Sequence, residues 1–563
     1  MTGSSFSFEG RAVPFRGGQS VAAALAAAGE LALRESADGS RRGVFCGMGV
    51  CQECLVTIDG VPGQRACMVS ATVGAAVRRQ GFPGELPTPG SGAAPLGYED
   101  LPTEAVDLLV VGGGAGGLVA ATAAARAGLS VIVLDERRMS GGQYYKQAAD
   151  GLGEPPLDPQ QAEGAALIAE ARQAGVDIRA GLEAWGPAEP FEGRPGILAS
   201  GPQGACALHG SAVIIASGAH ERPLMVPGWT LPGVMTTGAL QTLWRSYRAV
   251  PGKRILIAGN GPLNLQVALE LHRAGAEVVG IVEAAPALSP SRIGSAAQML
   301  AADPALTLGG VRMMAQAARS GLKLHFGKIL RSVREAKDGL VAEFGTAGGG
   351  AAETVAADIV AMGYGFQPSA ELLRAFGARQ EADPRNGLIR TWRTDACATS
   401  APGIYAVGDC AGPGGAPAAR AEGVIAAAAI AASLGKAVPE AEVEAARRDL
   451  ARSRRFQEAL WRLYAAPWPG LSLADAETLI CRCENVARGT IDAALAEGGG
   501  IGDVKRRTRC GMGRCQGRYC GPALARHMAE ARGEAIGEEG FFAPRFPVKP
   551  VRISDIVGAR VPR

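Results

Sequence analysis

The sequence predicts an α/β chain with two Rossmann-like nucleotide-binding units at its centre. A small β-rich module precedes them and a short helical module follows. Three observations predict this. Two glycine turns, near residues 112 and 259, each stand between an apolar run and a helical pattern. Glycine and alanine are abundant while aromatics reach only 5%, a balance that suits tightly packed α/β layers. Nine of the twelve cysteines lie outside the central units, four near the start and five within 481–520.

With 563 residues the chain has room for several domains. A net charge of +3, against 57 basic and 54 acidic residues, gives no global attraction for nucleic acid or an anionic membrane. The start, MTGSSFSFEGRAV, lacks the basic stretch and apolar run of a secretory signal. The most apolar runs are short or broken by glycine, so no membrane span is expected. The expectation is a cytoplasmic protein. Its clustered cysteines then point to metal or cluster ligation rather than a disulfide framework.

The first module opens with FSFEGRAVPF, two short strands around a Glu9-Gly10 turn. A helix, SVAAALAAAG, ends on Gly29, and CLVTIDG follows the cysteine loop as a strand. This order is consistent with a β-grasp fold. Cys46, Cys51 and Cys54 give C-x4-C-x2-C, with Cys67 as a fourth thiolate, the ligand spacing of plant-type 2Fe-2S ferredoxins. Gly47 and Gly49 let the backbone wrap closely and aim N–H groups at the sulfurs. Tetrahedral zinc prefers paired C-x2-C units, which this stretch lacks.

In DLLVVGGGAGGLVAATAAARAGLSVIVLDE, Gly112, Gly114 and Gly117 supply G-x-G-x-x-G between strand and helix. Gly112 makes the tight turn, Gly114 admits a pyrophosphate, and Gly117 lets helix and strand pack closely. Asp135 closes the second strand and would accept from an adenosine ribose, with Glu136 as the neighbouring alternative. Further on, AVIIASGAHERP carries a strand into a turn at Gly218, and GIYAVGDCAG a strand into Gly408-Asp409. Between the two halves, KRILIAGNGPLNLQVALELHRAGAEVVGIVE places Gly259, Gly261 and Glu283 as a second nucleotide site. The acid with no arginine after it favours NAD over NADP. Asn264 stands where the third glycine belongs, and its side chain is expected to crowd the helix–strand contact. No C-x2-C or C-x4-C pair lies in these units, so electrons leaving a flavin there would need another carrier. His220, a single histidine at a turn, is read as structural.

The second group, CRCEN…TRCGMGRCQGRYC, sets five cysteines against four ligand positions. The run KRRTR is explained locally by an anionic cluster rather than by nucleic acid. The expected divisions are a ferredoxin-like module at 1–85, a linker at 86–103, and a flavin domain in two parts, 104–235 and 361–436. The second nucleotide domain spans 236–360, a helical connector 437–477, the second cysteine module 478–530, and a tail 531–563.

These motifs resemble several families at once. The two glycine units with Asp409 resemble the two-dinucleotide-binding-domain flavoproteins, whose matching aspartate contacts the ribityl chain of FAD. The C-x-C opening resembles the BFD-like helical 2Fe-2S domains, which implies Cys481, Cys483, Cys515 and Cys520 as ligands and leaves Cys510 spare. With RGVFCGMGVCQECLVTIDG, GGQYY (Gly142, Gln143), SGAHERPLMVPGWTLPGVMTTGALQ and AVGDCAG, the whole chain resembles the large subunit of heteromeric flavoprotein dehydrogenases. That group includes opine oxidases, hydrogen cyanide synthase, D-hydroxyproline and proline dehydrogenases, and sarcosine oxidase. The resemblance implies FAD, two 2Fe-2S clusters and a smaller FAD subunit, similar to D-amino-acid oxidases, that oxidises the substrate's C–N bond. It implies a hetero-oligomer in which this chain passes electrons to an acceptor such as a quinone or a carrier protein. A self-sufficient NADH-dependent reductase, a glycine-oxidising subunit and a non-catalytic iron–sulfur adaptor stand as alternatives.

Overall fold

The computed structural model describes residues 4–82, 101–383 and 386–557. Residues 86–100 of the expected linker lie outside them.

The first module is a five-stranded sheet in the order Arg11–Pro14, Ser5–Phe8, Ala76–Arg79, Leu55–Ile58, Val61–Arg65. Ser5–Phe8 runs antiparallel to Arg11–Pro14 and parallel to Ala76–Arg79. Glu9 and Gly10, at φ 50° and 78°, turn between the first two strands as a tight hairpin requires. The helix Val21–Ala27 starts where the Ser20 hydroxyl accepts from the Ala23 amide. Its alanines let it sit close on Phe6, Phe8, Val56 and Val77 in one small core.

The flavin-type unit is built on Thr103–Val111, flanked in parallel by Val131–Asp135 and Gly204–Ile215. Asp177–Ala180 adds beyond Val131–Asp135, and Ile404–Ala406 pairs in parallel with Gly204–Ile215. Leu108 and Val110 enter one core while Leu109 and Val111 enter another, which explains the unbroken apolar run. The helices Ala115–Arg126 and Gly415–Ser433 cross closely because a Cβ on Gly423 would lie 2.6 Å from the Gly116 carbonyl oxygen.

The second nucleotide unit is all parallel, in the order Val234–Thr236, Ile359–Gly363, Arg254–Gly259, Glu277–Glu283, Leu324–Phe326. A 24-residue helix, Glu440–Leu463, then leads to the second cysteine module. That module is a short strand pair, Leu479–Cys481 with Val486–Ala487, and the helices Arg488–Ala496, Ile501–Thr508 and Cys520–Arg532.

Within the stretch expected to be a tail, the residues around Phe546–Val548 fold back as a strap. The Val548 amide donates to the Trp185 carbonyl at 2.8 Å, and Phe546 packs on the Trp185 ring at 5.3 Å. Phe45, Cys46 and Cys51 of the first module share one continuous core with Trp229, Leu256, Ile480, Cys515 and Cys520. Among the described residues, no helix is long and apolar enough to cross a membrane.

Candidate functional site

Four parallel strands end side by side in the flavin-type unit, and each runs straight into a motif turn. The amides of Gly112, Ala216 and Val407 donate to the Leu134, Val111 and Ile215 carbonyls, at 2.7, 2.8 and 3.0 Å. Asp135, Gly112–Gly114, Ala216–Gly218 and Gly408-Asp409 therefore line one crevice at the carboxyl edge of the sheet, where such folds bind dinucleotides. Two helices, beginning at Ala115 and Gly415, point their N-termini toward it.

The glycines differ in what surrounds them. A Cβ on Gly112 would lie 2.3 Å from the Ala216 carbonyl oxygen, and one on Gly117 1.9 Å from that of Gly112. Gly114 would meet only Gly142 Cα at 3.8 Å, and Gly218 nothing within 4 Å. Gly112 and Gly117 are thus demanded by the protein's own packing, whereas Gly114 and Gly218 border open space. That is the arrangement a dinucleotide diphosphate needs. Gly142, at φ 66°, lies against Gly114, and the Gln143 carbonyl next to it accepts from Lys146 Nζ at 3.0 Å.

Asp135 is buried, which pushes its carboxyl up to about 6. Glu136 is committed elsewhere, paired with Lys549 from the strap. Asp409 Oδ1 accepts from the Gly414 and Gly415 amides at 2.8 and 2.9 Å, while burial raises its carboxyl. Cys410 beside it is buried and donates to the Ile215 carbonyl at 3.1 Å.

At the second turn, Gly261 adopts φ 106°, and its amide donates to Glu283 Oε2 at 3.0 Å. Burial raises Glu283 to about 7. Gly259 sits against Gly363, where a Cβ would lie 2.2 Å from its carbonyl oxygen. The expected crowding at Asn264 does not occur. Its amide donates to the Gly363 carbonyl at 3.0 Å and its Oδ1 accepts from the Thr237 hydroxyl at 2.8 Å, so the side chain ties a strand end to the start of the helix Thr237–Tyr247. The segment after the long helix crosses this crevice. Asn260 donates to the Tyr464 carbonyl, Arg292 to those of Leu463 and Ala465, and Trp468 packs edge-on against Tyr364.

All four cysteines of the first group are buried, in two sulfur pairs, Cys46 with Cys51 and Cys54 with Cys67. Burial raises the Cys46 thiol, but hydrogen bonds from Cys51 and from the Met48, Cys51 and Val50 amides outweigh it and bring it to about 6. Gly47 and Gly49, at φ 62° and 80°, permit that wrapping. In the second group, the sulfurs of Cys481, Cys510 and Cys520 lie within 4.8 Å of one another, and Cys483 and Cys515 are 3.4 Å apart. Cys510, expected to stand apart as the spare, is drawn into the group. Both sets suit thiolate ligation of iron, two sulfurs per metal. The KRRTR cations are locally engaged: Lys505 lies over the Phe542 ring, Arg506 pairs with Asp503, Arg507 with Glu497 and Arg509 with Glu484.

Residues that sequence reasoning missed link these sites. Lys146 Nζ donates to Gln241 Oε1 at 2.8 Å, and burial pushes its ammonium down to about 7. Glu53 bonds Arg34 at 2.9 Å and Arg482 at 3.4 Å. His220, by contrast, is read from the sequence as structural, and it is buried against Gln367 and Tyr519 in the seam to the second cysteine module. The only sequence signal was a charged residue inside each cysteine motif, CQEC and CRC.

Comparison with known proteins gives three matches along the chain. Residues 106–423 match the pyridine nucleotide-disulphide oxidoreductase family, 4–81 a 2Fe-2S iron-sulfur cluster binding domain, and 479–530 a BFD-like [2Fe-2S] binding domain. An opine oxidase subunit of Rhizobium meliloti (strain 1021) is 32% identical over 462 residues, 80% of this chain and 98% of the relative. Hydrogen cyanide synthase subunit HcnB of Pseudomonas aeruginosa is 33% identical over 351 residues, 61% and 75% of the two chains. In fold, L-proline dehydrogenase from P. horikoshii superposes with a TM-score of 0.73 at 18% identity, covering 99% of this chain and 98% of that one.

Proposed function

We propose, from the premise that this chain belongs to the pyridine nucleotide-disulphide oxidoreductase family and to the family of this opine oxidase subunit, that it is the electron-transferring subunit of a heteromeric amino-acid or imino-acid dehydrogenase. Its cofactors are FAD and two 2Fe-2S clusters. The donor class we assign is a proline, hydroxyproline, sarcosine or opine type of CH–NH or CH–NH2 compound. The partner is a smaller FAD subunit similar to D-amino-acid oxidases, and the acceptor is a quinone or a carrier protein. Relatives named as subunits of opine oxidase, hydrogen cyanide synthase and sarcosine oxidase support a hetero-oligomer.

One observation carries the reading. The carboxyl-edge crevice of the flavin-type sheet has a buried, hydrogen-bonded Cys410 beside it in place of a redox thiol pair, while Cys46 and Cys51 of the first cysteine group share one core with the second group. Bound flavin accepts electrons in pairs and 2Fe-2S clusters carry them singly, so together they convert pair transfer into single steps.

The chain's residues serve that chemistry by holding and orienting. Gly114 and Gly218 would admit the diphosphate, Asp135 would receive the ribose hydroxyls, and Asp409, braced by two amides, would meet the ribityl chain. Cys46, Cys51, Cys54 and Cys67 hold the first cluster, and Cys481, Cys483, Cys515 and Cys520 the second. The connector lying over Asn260 speaks against the NADH-dependent alternative. Purifying the native complex, identifying the co-purifying subunit and testing proline, hydroxyproline, sarcosine, opines and glycine for flavin reduction tests the assignment. Full-rate amino-acid oxidation by the isolated chain would overturn the division of labour.

A further inference from the structure

We infer that Glu53 joins the two iron–sulfur sites into one relay, fixing them side by side so that an electron passes directly from one to the other. The inference rests on the electron-transfer reading above. Glu53 lies between Cys51 and Cys54, and its side chain is 1% exposed. Oε1 accepts from Arg34 Nη2 at 2.9 Å within the first module. Oε2 accepts from Arg482 Nη2 at 3.4 Å, and Arg482 stands between Cys481 and Cys483 of the second. One buried carboxylate thus reaches the ligand loops of both sites, although 429 residues separate it from Arg482.

A second contact closes the other side of the seam. Phe45, next to Cys46, meets Tyr519, next to Cys520, edge-on at 5.5 Å between ring centres. Arg482 lies over the Phe45 ring at 4.1 Å and the Trp229 ring at 4.8 Å, which holds its guanidinium in place.

Electrostatics explains why this seam needs its composition. Thiolate-held iron–sulfur sites are anionic and repel one another across a low-dielectric core. Arg34, Arg42 and Arg482 are all buried here, with Glu53 the acid bonded to two of them, and Arg42 donates to Asn485 Oδ1 of the second module at 3.3 Å. The remaining positive charge offsets the repulsion between the sites. Glu53 keeps the guanidiniums from repelling each other and sets their position. Removing one partner from such a buried set leaves the others uncompensated.

With clusters bound by the two cysteine groups, one iron of the donor site would go from Fe2+ to Fe3+ and one iron of the acceptor site from Fe3+ to Fe2+. No bond would form and no proton move, and a reduced flavin would supply the electrons. Glu53 is a positioning residue for this transfer.

The test uses the full-length holoprotein, titrated with dithionite and followed by low-temperature electron paramagnetic resonance. Full reduction of the unaltered protein is expected to split or broaden both cluster signals relative to the half-reduced sample. Glu53→Gln is expected to raise both midpoint potentials together, because it removes a negative charge beside both sites. A merely structural role would cost cluster content without that joint shift. Two fully reduced signals that simply add overturn the inference, as does a Glu53→Gln shift confined to one site. The first comparison needs no variant, so a misfolded Glu53→Gln leaves the question decidable. Absence of one cluster signal altogether would instead overturn the underlying reading, and the relay with it.

Discussion

The side-chain amide of Asn260 donates to the main-chain carbonyl of Tyr464 at 3.0 Å, placing the connector over the second nucleotide turn. Arg292 holds the same stretch from the far side through the Ala465 carbonyl at 2.7 Å. Anaerobic mixing with NADH is therefore expected to leave the flavin oxidised in a stopped-flow experiment, while electrons delivered by the partner subunit bleach it. Rapid bleaching by NADH would show that the connector swings clear.

The two central glycines of the first turn should fail differently. Gly117→Ala places a methyl 1.9 Å from a backbone oxygen, an overlap that flexible side chains cannot absorb. It is expected to cost about 1–3 kcal/mol or more and to lower the unfolding temperature. Gly114→Ala meets nothing closer than 3.8 Å at an ordinary φ of −86°, so the fold should survive. Its methyl occupies the diphosphate's approach, so the flavin content of the purified protein should fall while thermal stability of the flavin-free form does not.

The five cysteines of the second group can be separated by iron content and the visible spectrum. Cys483 and Cys515, 3.4 Å apart, suit one iron, and the trio must then supply two sulfurs for the other. Serine at 481, 483, 515 or 520 is expected to remove about two irons per chain, the complement of one 2Fe-2S cluster. Cys510→Ser should retain them. Loss of iron in Cys510→Ser with retention in Cys520→Ser would exchange those two roles.

Glu283 gives a pH dependence of known sign. Burial lifts it from 4.5 to about 7, so the folded state holds this proton more tightly than the unfolded one. Its stability contribution is complete below pH 4.5 and is lost as the pH rises through about 7. Relative to the wild type, Glu283→Gln should therefore gain stability over that interval, by up to roughly 3 kcal/mol. Hydrogen exchange in the strands Arg254–Gly259 and Glu277–Glu283 measures it, and parallel pH profiles would contradict the assignment.

Local patterns carried most of the fold. Each glycine fingerprint lies within one strand–turn–helix unit, so spacing alone located Gly112, Gly114, Gly117 and Gly261, and Ser20 with Gly29 bounded the first helix. What the sequence left hidden was long-range. Lys549 reaches Glu136 across 413 residues with no periodicity to announce it. Asn264 escapes steric reasoning, which sees volume, whereas its side-chain amide finds Thr237 at a helix start and Gly363 at a strand end. Spacing leaves Cys510 open as a ligand and only the family resemblance sets it apart, whereas the folding of its loop brings its sulfur to Cys481 and Cys520.

The Glu53–Arg482 contact joins the first module to nearly the last, so the folded chain is a closed circuit rather than a row of beads. Because both ends belong to one polypeptide, their meeting does not depend on protein concentration, and the tether sets a local concentration in its place. Their order in one polypeptide also fixes an order of synthesis. The first cysteine loop leaves the ribosome long before Arg482 exists, so the first site must take up its iron without its neighbour, or wait for the chain to end.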